Sequence, residues 1–253
     1  MIDLIQRAAE LIADSQHAVA LTGAGISTPS GIPDFRSPNT GLWAQTDPFE
    51  VATITAFRNR PEDFFNWIRP LARHMRNAQP NAAHIALAQL EQSGKLINLI
   101  TQNIDRLHHR AGMRQVIELH GNIEAATCIR CYRIYPAEVF GAALIDQQQM
   151  PTCSVCGGLL KPNVILFGEA LPAQALMNAR HAVSGCDLML IAGSSLEVAP
   201  ASDLPRLAHE HGAKLIIINR EPTHVDAFSD VVIHGDVAEV LPQIAEAYAA
   251  HVR

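Results

Sequence analysis

The apolar positions of this chain follow two periods. Residues 2–14 place Leu4, Ala8, Leu11 and Ile12 at i, i+4, i+7 and i+8, which predicts a helix with one buried face. Next comes AVALTG (18–23), an unbroken apolar run ending in glycine, which predicts a strand buried on both sides. Similar runs recur at LINLIT (96–101), VIEL (116–119), LMLIAG (188–193), LIIIN (215–219) and VVIH (231–234). Helical patterns separate most of them. One covers 81–92 and stops before Gly94, and another covers 172–184 with Pro172 at its first position. A last helix starts at Asp236, with Glu239 as capping-box partner and Val237, Val240, Leu241, Ile244 and Tyr248 as its stripe.

Strands apolar on both faces, alternating with helices, predict an α/β fold built on a doubly wound, Rossmann-like parallel sheet. Two stretches break the alternation: a Pro/Gly-rich loop with aromatic-rich helical segments at 24–80, and a cysteine-bearing segment at 122–165. The expected division is a sheet domain of 1–40, 81–121 and 166–253. The helical insert 41–80 and the insert 122–165 then form a smaller domain.

A length of 253 residues suits one large α/β domain carrying such inserts. With 48% apolar and 17% charged residues the chain can bury a core and is not disordered. The net charge of -6 gives no global electrostatic case for direct nucleic-acid binding. No apolar run approaches the roughly 18 residues of a membrane span. The opening segment carries charges at Asp3, Arg7, Glu10 and Asp14, so it reads as a surface helix and not as a signal peptide. The expectation is a soluble cytoplasmic protein without a membrane partner.

Four of the five cysteines are paired, as Cys128/Cys131 and Cys153/Cys156, with 21 residues between the pairs. Two C-x2-C knuckles at this spacing predict one structural zinc held by four thiolates, which makes 122–165 a zinc ribbon. A full thiolate shell leaves no open position, so the metal is not expected to take part in chemistry. A redox pair is the weaker reading, because no thioredoxin-like strand-to-helix context adjoins either pair.

The first strand runs into Gly23-Ala24-Gly25-Ile26-Ser27, a turn suited to a pyrophosphate approached by exposed N–H groups. Thr28 stands where the usual third glycine would be, and the prolines that follow bar a regular helix, so a standard dehydrogenase crossover is disfavoured. The loop GIPDFRSPNTG (31–41) gathers Asp34, Phe35 and Arg36 and reads as a lid over a nucleotide. The other predicted strands end in Gln102-Asn103-Ile104-Asp105, His120-Gly121, Gly193-Ser194-Ser195 and Asn219. Small or polar groups at so many carboxyl ends argue for one shared site. His120 is the candidate for proton transfer and Asn103 an orienter of water or a ribose hydroxyl, while Asp105 serves the site or caps the next helix.

These residues resemble a known family. GAGIS, GIPDFR, TQNID, HG, the two C-x-x-C pairs, KPNVILFGE (161–169), GSS (193–195), IN (218–219) and GDV (235–237) stand in the order seen in sirtuins, over about residues 5–245. The chain resembles most the bacterial single-domain members. The resemblance implies an NAD-dependent protein-lysine deacylase that converts acyl-lysine, NAD and water into lysine, nicotinamide and O-acyl-ADP-ribose. It implies that Gly23, Ala24, Gly25, Ser27, Asp34, Phe35 and Arg36 line the NAD pocket. Gln102, Asn103, Ile104 and Asp105 would surround the nicotinamide ribose, and Gly193, Ser194, Ser195, Asn219, Arg220 and Val237 would hold the phosphates and adenosine. His120 would be the general base, with Asn103 beside it.

The acyl-lysine peptide would lie as an added strand between Phe167-Gly168-Glu169 and Leu196-Glu197-Val198, with Ile165 and Phe167 walling the acyl-lysine. Family members that prefer negatively charged acyl groups carry a Tyr-x-x-Arg pair in the helical segment after the lid. Phe65 and Ile68 take those positions here, which implies a neutral acyl group. Two rival readings are ADP-ribosyl transfer at the same NAD site and a zinc-ribbon protein that only senses NAD.

Overall fold

The computed structural model describes residues 1–37, 41–44 and 46–252. Pro38, Asn39 and Thr40 of the expected lid lie outside them. In chain order come α1 (Ile2–Asp14), β1 (Ala18–Thr22), α2 (Pro48–Val51), α3 (Ile54–Asn59), α4 (Pro61–Asn77), α5 (Ala82–Gln92) and β2 (Leu96–Thr101). They are followed by α6 (Leu107–Arg110), β3 (Val116–Glu118), β4 (Gly121–Cys128), β5 (Ile134–Pro136), α7 (Ala137–Gly141) and β6 (Leu160–Val164). The last six are α8 (Ala173–Ser184), β7 (Leu188–Ala192), α9 (Leu204–Glu210), β8 (Lys214–Asn219), β9 (Val231–His234) and α10 (Val237–His251).

Six strands form one parallel sheet in the order β3-β2-β1-β7-β8-β9. This is the doubly wound order, whose direction reverses between β1 and β7. The strand sequences explain why both faces are covered. Ala18, Ala20, Leu188, Leu190, Ile216 and Ile218 point to the face under α1, α5 and α10. Their neighbours Val19, Leu21, Met189, Ile191, Leu215 and Ile217 point to the face under α8 and α9. Side chains alternate along a strand, so a strand packed on both faces must be apolar throughout.

Three helix details differ from expectation. In α1 Ala8, Leu11 and Ile12 are buried as expected, but Ile5 faces the core in place of Leu4, which is 40% exposed. Pro172 is the residue before α8, not its first residue. Asp236 does cap α10, accepting from the Ala238 N–H at 2.8 Å. No reciprocal Glu239 bond forms among the described residues, and the second Asp236 oxygen pairs with Arg220 at 2.6 Å instead.

The antiparallel sheet β5-β4-β6 carries the cysteine knuckles. Phe57, Phe64 and Phe65 meet edge to face, with ring centroids 5.1 to 5.7 Å apart. Around them a separate core forms from α3 and α4 together with Tyr135, Phe140, Leu144 and Leu160. The two excursions from the parallel sheet therefore share one apolar cluster. This lobe is tied to the chain after β6, where Ile54 donates to the Phe167 carbonyl and Phe167 to that of Ala52, both at 3.0 Å. Among the described residues no helix is long and apolar enough to cross a membrane.

Candidate active site

The loops after β1, β2, β3, β7 and β8 meet at the carboxyl edge of the parallel sheet around a cavity of 610 Å³. Every residue expected to serve catalysis, NAD or substrate lines it, with one exception. Leu196 is 3% exposed and packs with Leu21, Ile191 and Leu204 under the sheet. Its left-handed backbone, φ 55°, belongs to a turn that sends the side chain into the core, while Glu197 and Val198 line the cavity.

Where β1 and β7 part, their loops touch. The Gly25 N–H donates to the Gly193 carbonyl at 2.8 Å and the Gly23 N–H to that of Ala192 at 3.3 Å. A Cβ on Gly193, whose φ is +61°, would sit 2.3 Å from the Ile26 nitrogen. The N–H groups of Gly23 and Gly25 are taken by the β7 edge, so these two glycines permit two backbones to touch.

His120 follows β3, and its Nδ1 lies 3.0 Å from the Gln102 carbonyl. A carbonyl only accepts, so Nδ1 carries the proton and Nε2 keeps its lone pair. Burial holds the imidazole below its ordinary 6.5, and the bond to Gln102 opposes this more weakly. The ring is thus a neutral base of defined tautomer. The side-chain amide of Gln102 donates to Ser194 Oγ at 2.9 Å, joining the β2, β3 and β7 ends.

Asn103 is fixed in the same way. Its Nδ2 donates to the Gly23 carbonyl at 3.0 Å and to Ser27 Oγ at 3.2 Å, and its own N–H donates to Thr101 Oγ1 at 3.0 Å. Both amide hydrogens are used, which leaves Oδ1 as the free acceptor of a residue lining the cavity. Asp105 does two jobs. One oxygen accepts from the Leu107 N–H at 2.9 Å, capping α6, and the other from Ser27 Oγ at 2.7 Å. Burial raises its carboxyl above the usual range, and the bonds from Leu107 and Ser27 pull the other way.

The lid loop differs from a ligand-facing cluster. Asp34 accepts from the N–H groups of Arg36 and Ser37 at 3.0 and 2.7 Å, and from the Ser37 hydroxyl, so its carboxylate shapes the turn. Arg36 reaches across to Glu197 at 2.7 Å. Phe35 stacks on Trp43 at 5.1 Å, and Trp43 on Trp67 at 5.5 Å, with Phe167 beside Trp43 at 6.3 Å. Sequence reasoning missed this aromatic wall and, further along α4, the cavity-lining Leu71 and Met75. Their only signal was an amphipathic stripe, which is also the pattern of ordinary core. Phe65 is fully buried away from the cavity, whereas Ile68 lines it. Arg69 turns outward onto the Leu144 and Gln148 carbonyls at 2.8 and 3.3 Å.

The Sγ atoms of Cys128, Cys131, Cys153 and Cys156 lie within 4.8 Å of one another, with pairs at 3.5 and 3.6 Å. A zinc–sulfur tetrahedron with bonds of about 2.3 Å has edges of about 3.8 Å, so the four fit that ion. Gly158 packs against the knuckle, where a Cβ would stand 2.9 Å from Cys128 Sγ.

The parallel order, a cavity at its point of reversal and a neutral, half-buried imidazole define a nucleotide-dependent enzyme with an attached metal ribbon. The model of the Sir2 family matches residues 23–200. The chain is 46% identical to an NAD-dependent protein deacylase 2 of Archaeoglobus fulgidus, over 97% of this chain and 96% of that one. It superposes with TM-score 0.90 on a Sir2 variant in complex with deacetylated p53 peptide and 3'-O-acetyl ADP ribose, at 42% identity over 96% of this chain and 97% of the other. The structure of Sir2Af2 bound to a myristoylated histone peptide gives TM-score 0.86 and 40% identity, over 100% and 99%. This chain belongs to the Sir2 family.

Proposed function

We propose that the chain is an NAD-dependent protein-lysine deacylase acting on neutral acyl groups of a protein or peptide. The observation that carries this reading is His120, held neutral with Nδ1 tied to Gln102 in the cavity that Asn103 also lines. Bound NAD would supply the electrophile, the anomeric carbon of its nicotinamide ribose, to which the amide oxygen of acyl-lysine would bond as nicotinamide departs. Nε2 of His120 takes the proton of a ribose hydroxyl, and the free Oδ1 of Asn103 orients a hydroxyl or water beside it. Phe35, Trp43 and Trp67 keep bulk water from the reacting carbon. Ser194, Ser195, Asn219, Arg220 and Val237 hold the phosphate and adenosine end. The Phe167–Glu169 and Glu197–Val198 segments flank the peptide, with Ile165 and Phe167 against the acyl-lysine.

Preference for a neutral acyl group follows from charge. The arginines lining the cavity are Arg36 and Arg220, paired with Glu197 and Asp236. Among the described residues no lysine lines it, and Arg69 faces away. A carboxylate-bearing acyl group would lose water without gaining a cation. Cys128, Cys131, Cys153 and Cys156 would hold one zinc that braces the ribbon and performs no step. We assign the sheet domain to 1–40, 81–121 and 166–253, and the small domain to 41–80 and 122–165.

The test is mass spectrometry of purified protein with an acetyl-lysine peptide and NAD. Free lysine peptide, nicotinamide and O-acetyl-ADP-ribose should rise together in equal amounts. Labelled ADP-ribose appearing on protein instead would establish ADP-ribosyl transfer, and desuccinylation faster than deacetylation would overturn the charge argument.

A further inference from the structure

β1 and β2 both end in threonine, and Thr22 and Thr101 are register partners in the parallel sheet. Both are buried. Valine, with the same branching, would fill either place without burying a hydroxyl. The hydroxyls are instead engaged in a chain of hydrogen bonds. Thr22 Oγ1 donates to Thr101 Oγ1 at 2.9 Å. With its one proton spent there, Thr22 can only accept from His108, whose Nε2 lies 2.9 Å away. His108, buried on α6, therefore carries its proton on Nε2. Its Nδ1 has no partner among the described residues, so packing alone gives no reason for an imidazole here. At the other end, Thr101 Oγ1 accepts from the main-chain N–H of Asn103 at 3.0 Å.

Three bonds thus run from α6 across the ends of β1 and β2 to the backbone of Asn103. The Asn103 side chain is held separately, by the Gly23 carbonyl and Ser27 Oγ. Where its free Oδ1 stands depends on both supports. His108, Thr22 and Thr101 do not line the cavity, whereas Asn103 does. Resting on the deacylase reading above, we propose that Thr101, Thr22 and His108 are positioning residues. They touch no reacting atom and act by fixing the main chain from which Asn103 presents Oδ1. Loss of the Thr101 hydroxyl leaves the buried Asn103 N–H unpaired and free to shift. A shift of Oδ1 weakens an interaction needed during reaction, so kcat falls and substrate binding does not.

The test is steady-state deacylation of an acetyl-lysine peptide with NAD, together with the melting temperature of each purified variant. Thr101→Val should lower kcat by about 10- to 100-fold, the scale of a misplaced group, with the KM values for NAD and peptide nearly unchanged. Thr101→Ser restores the hydroxyl and should recover most of kcat. Thr22→Val and His108→Phe, one and two bonds further back, should show the same split with smaller losses. They keep the test open if Thr101→Val fails to fold. Thr101→Val added to Asn103→Ala should cost no further kcat, because both changes remove the same function. Variants that melt lower yet keep wild-type kcat would make the chain of bonds structural only and overturn the proposal. Losses that multiply in the double variant would overturn it too, since the threonine would then act independently of Asn103. A wild type that releases no lysine peptide would instead overturn the deacylase reading, and this assignment with it.

Discussion

His120 shows how one hydrogen bond defines a role. The Gln102 carbonyl forces the proton onto Nδ1, and burial keeps the ring neutral. His120→Ala should lower kcat by about 100- to 10,000-fold, the usual worth of a positioned base, while NAD still binds by calorimetry. Activity needs the neutral ring, whose pKa is lowered, so the acid limb of kcat/KM against pH should fall below 6.5 and not above it. Two other histidines have no such role but affect stability. His84 and His108 are buried with rings 4.8 Å apart, and burial lowers both, His84 to about 4. The unfolded chain protonates them near 6.5 and the folded chain does not, so stability is lost as pH falls from about 6.5 toward about 4. Melting temperature measured across that window should drop, and the drop should be shallower in His84→Gln. His120 lines the cavity expected from the sequence because a group at the carboxyl end of a sheet strand has few directions to take. One backbone turn sends the Leu196 side chain into the core, and loop hydrogen bonds hold the Asp34 carboxylate at the edge of the cavity, neither of which a linear pattern encodes.

Among the elements, the ribbon and α4 were unequally legible. Cysteines in C-x2-C pairs announce their partners through local knuckle geometry. The ribbon also shares its core with α3 and α4, and Cys128 and Cys153 are part of that core. Removal of zinc by a chelator should therefore loosen the small lobe and leave the parallel sheet. Both tryptophans of the chain, Trp43 and Trp67, stack at the junction of lobe and cavity, so they report on it. The expected result is a shift of tryptophan emission and release of one zinc per chain, with most far-ultraviolet circular dichroism retained. By contrast the sequence showed α4 only as part of an aromatic-rich helical insert and did not single out Leu71 or Met75. A stripe of apolar residues reads the same whether it abuts another element or a hollow.

For the whole molecule, the contact between the β1 and β7 loops sets the shape of the cavity. Gly193→Ala would place a Cβ 2.3 Å from the Ile26 nitrogen, a clash no side-chain rotation relieves. The left-handed backbone alone adds about 1–2 kcal/mol for a residue with a Cβ. The variant should melt at lower temperature and show a raised KM for NAD, by thermal denaturation and initial-rate measurements. The sequence by itself determined the strands of the parallel sheet, the cysteine quartet and the supply of polar groups at strand ends. Each of these follows from chemistry among residues near one another in the chain. Only the tertiary structure decided that Gly23 and Gly25 spend their N–H groups on the β7 edge, that Leu196 turns inward, and that α4 walls the cavity. Those outcomes depend on where segments far apart in the chain come to rest, and no local pattern encodes the space left between them.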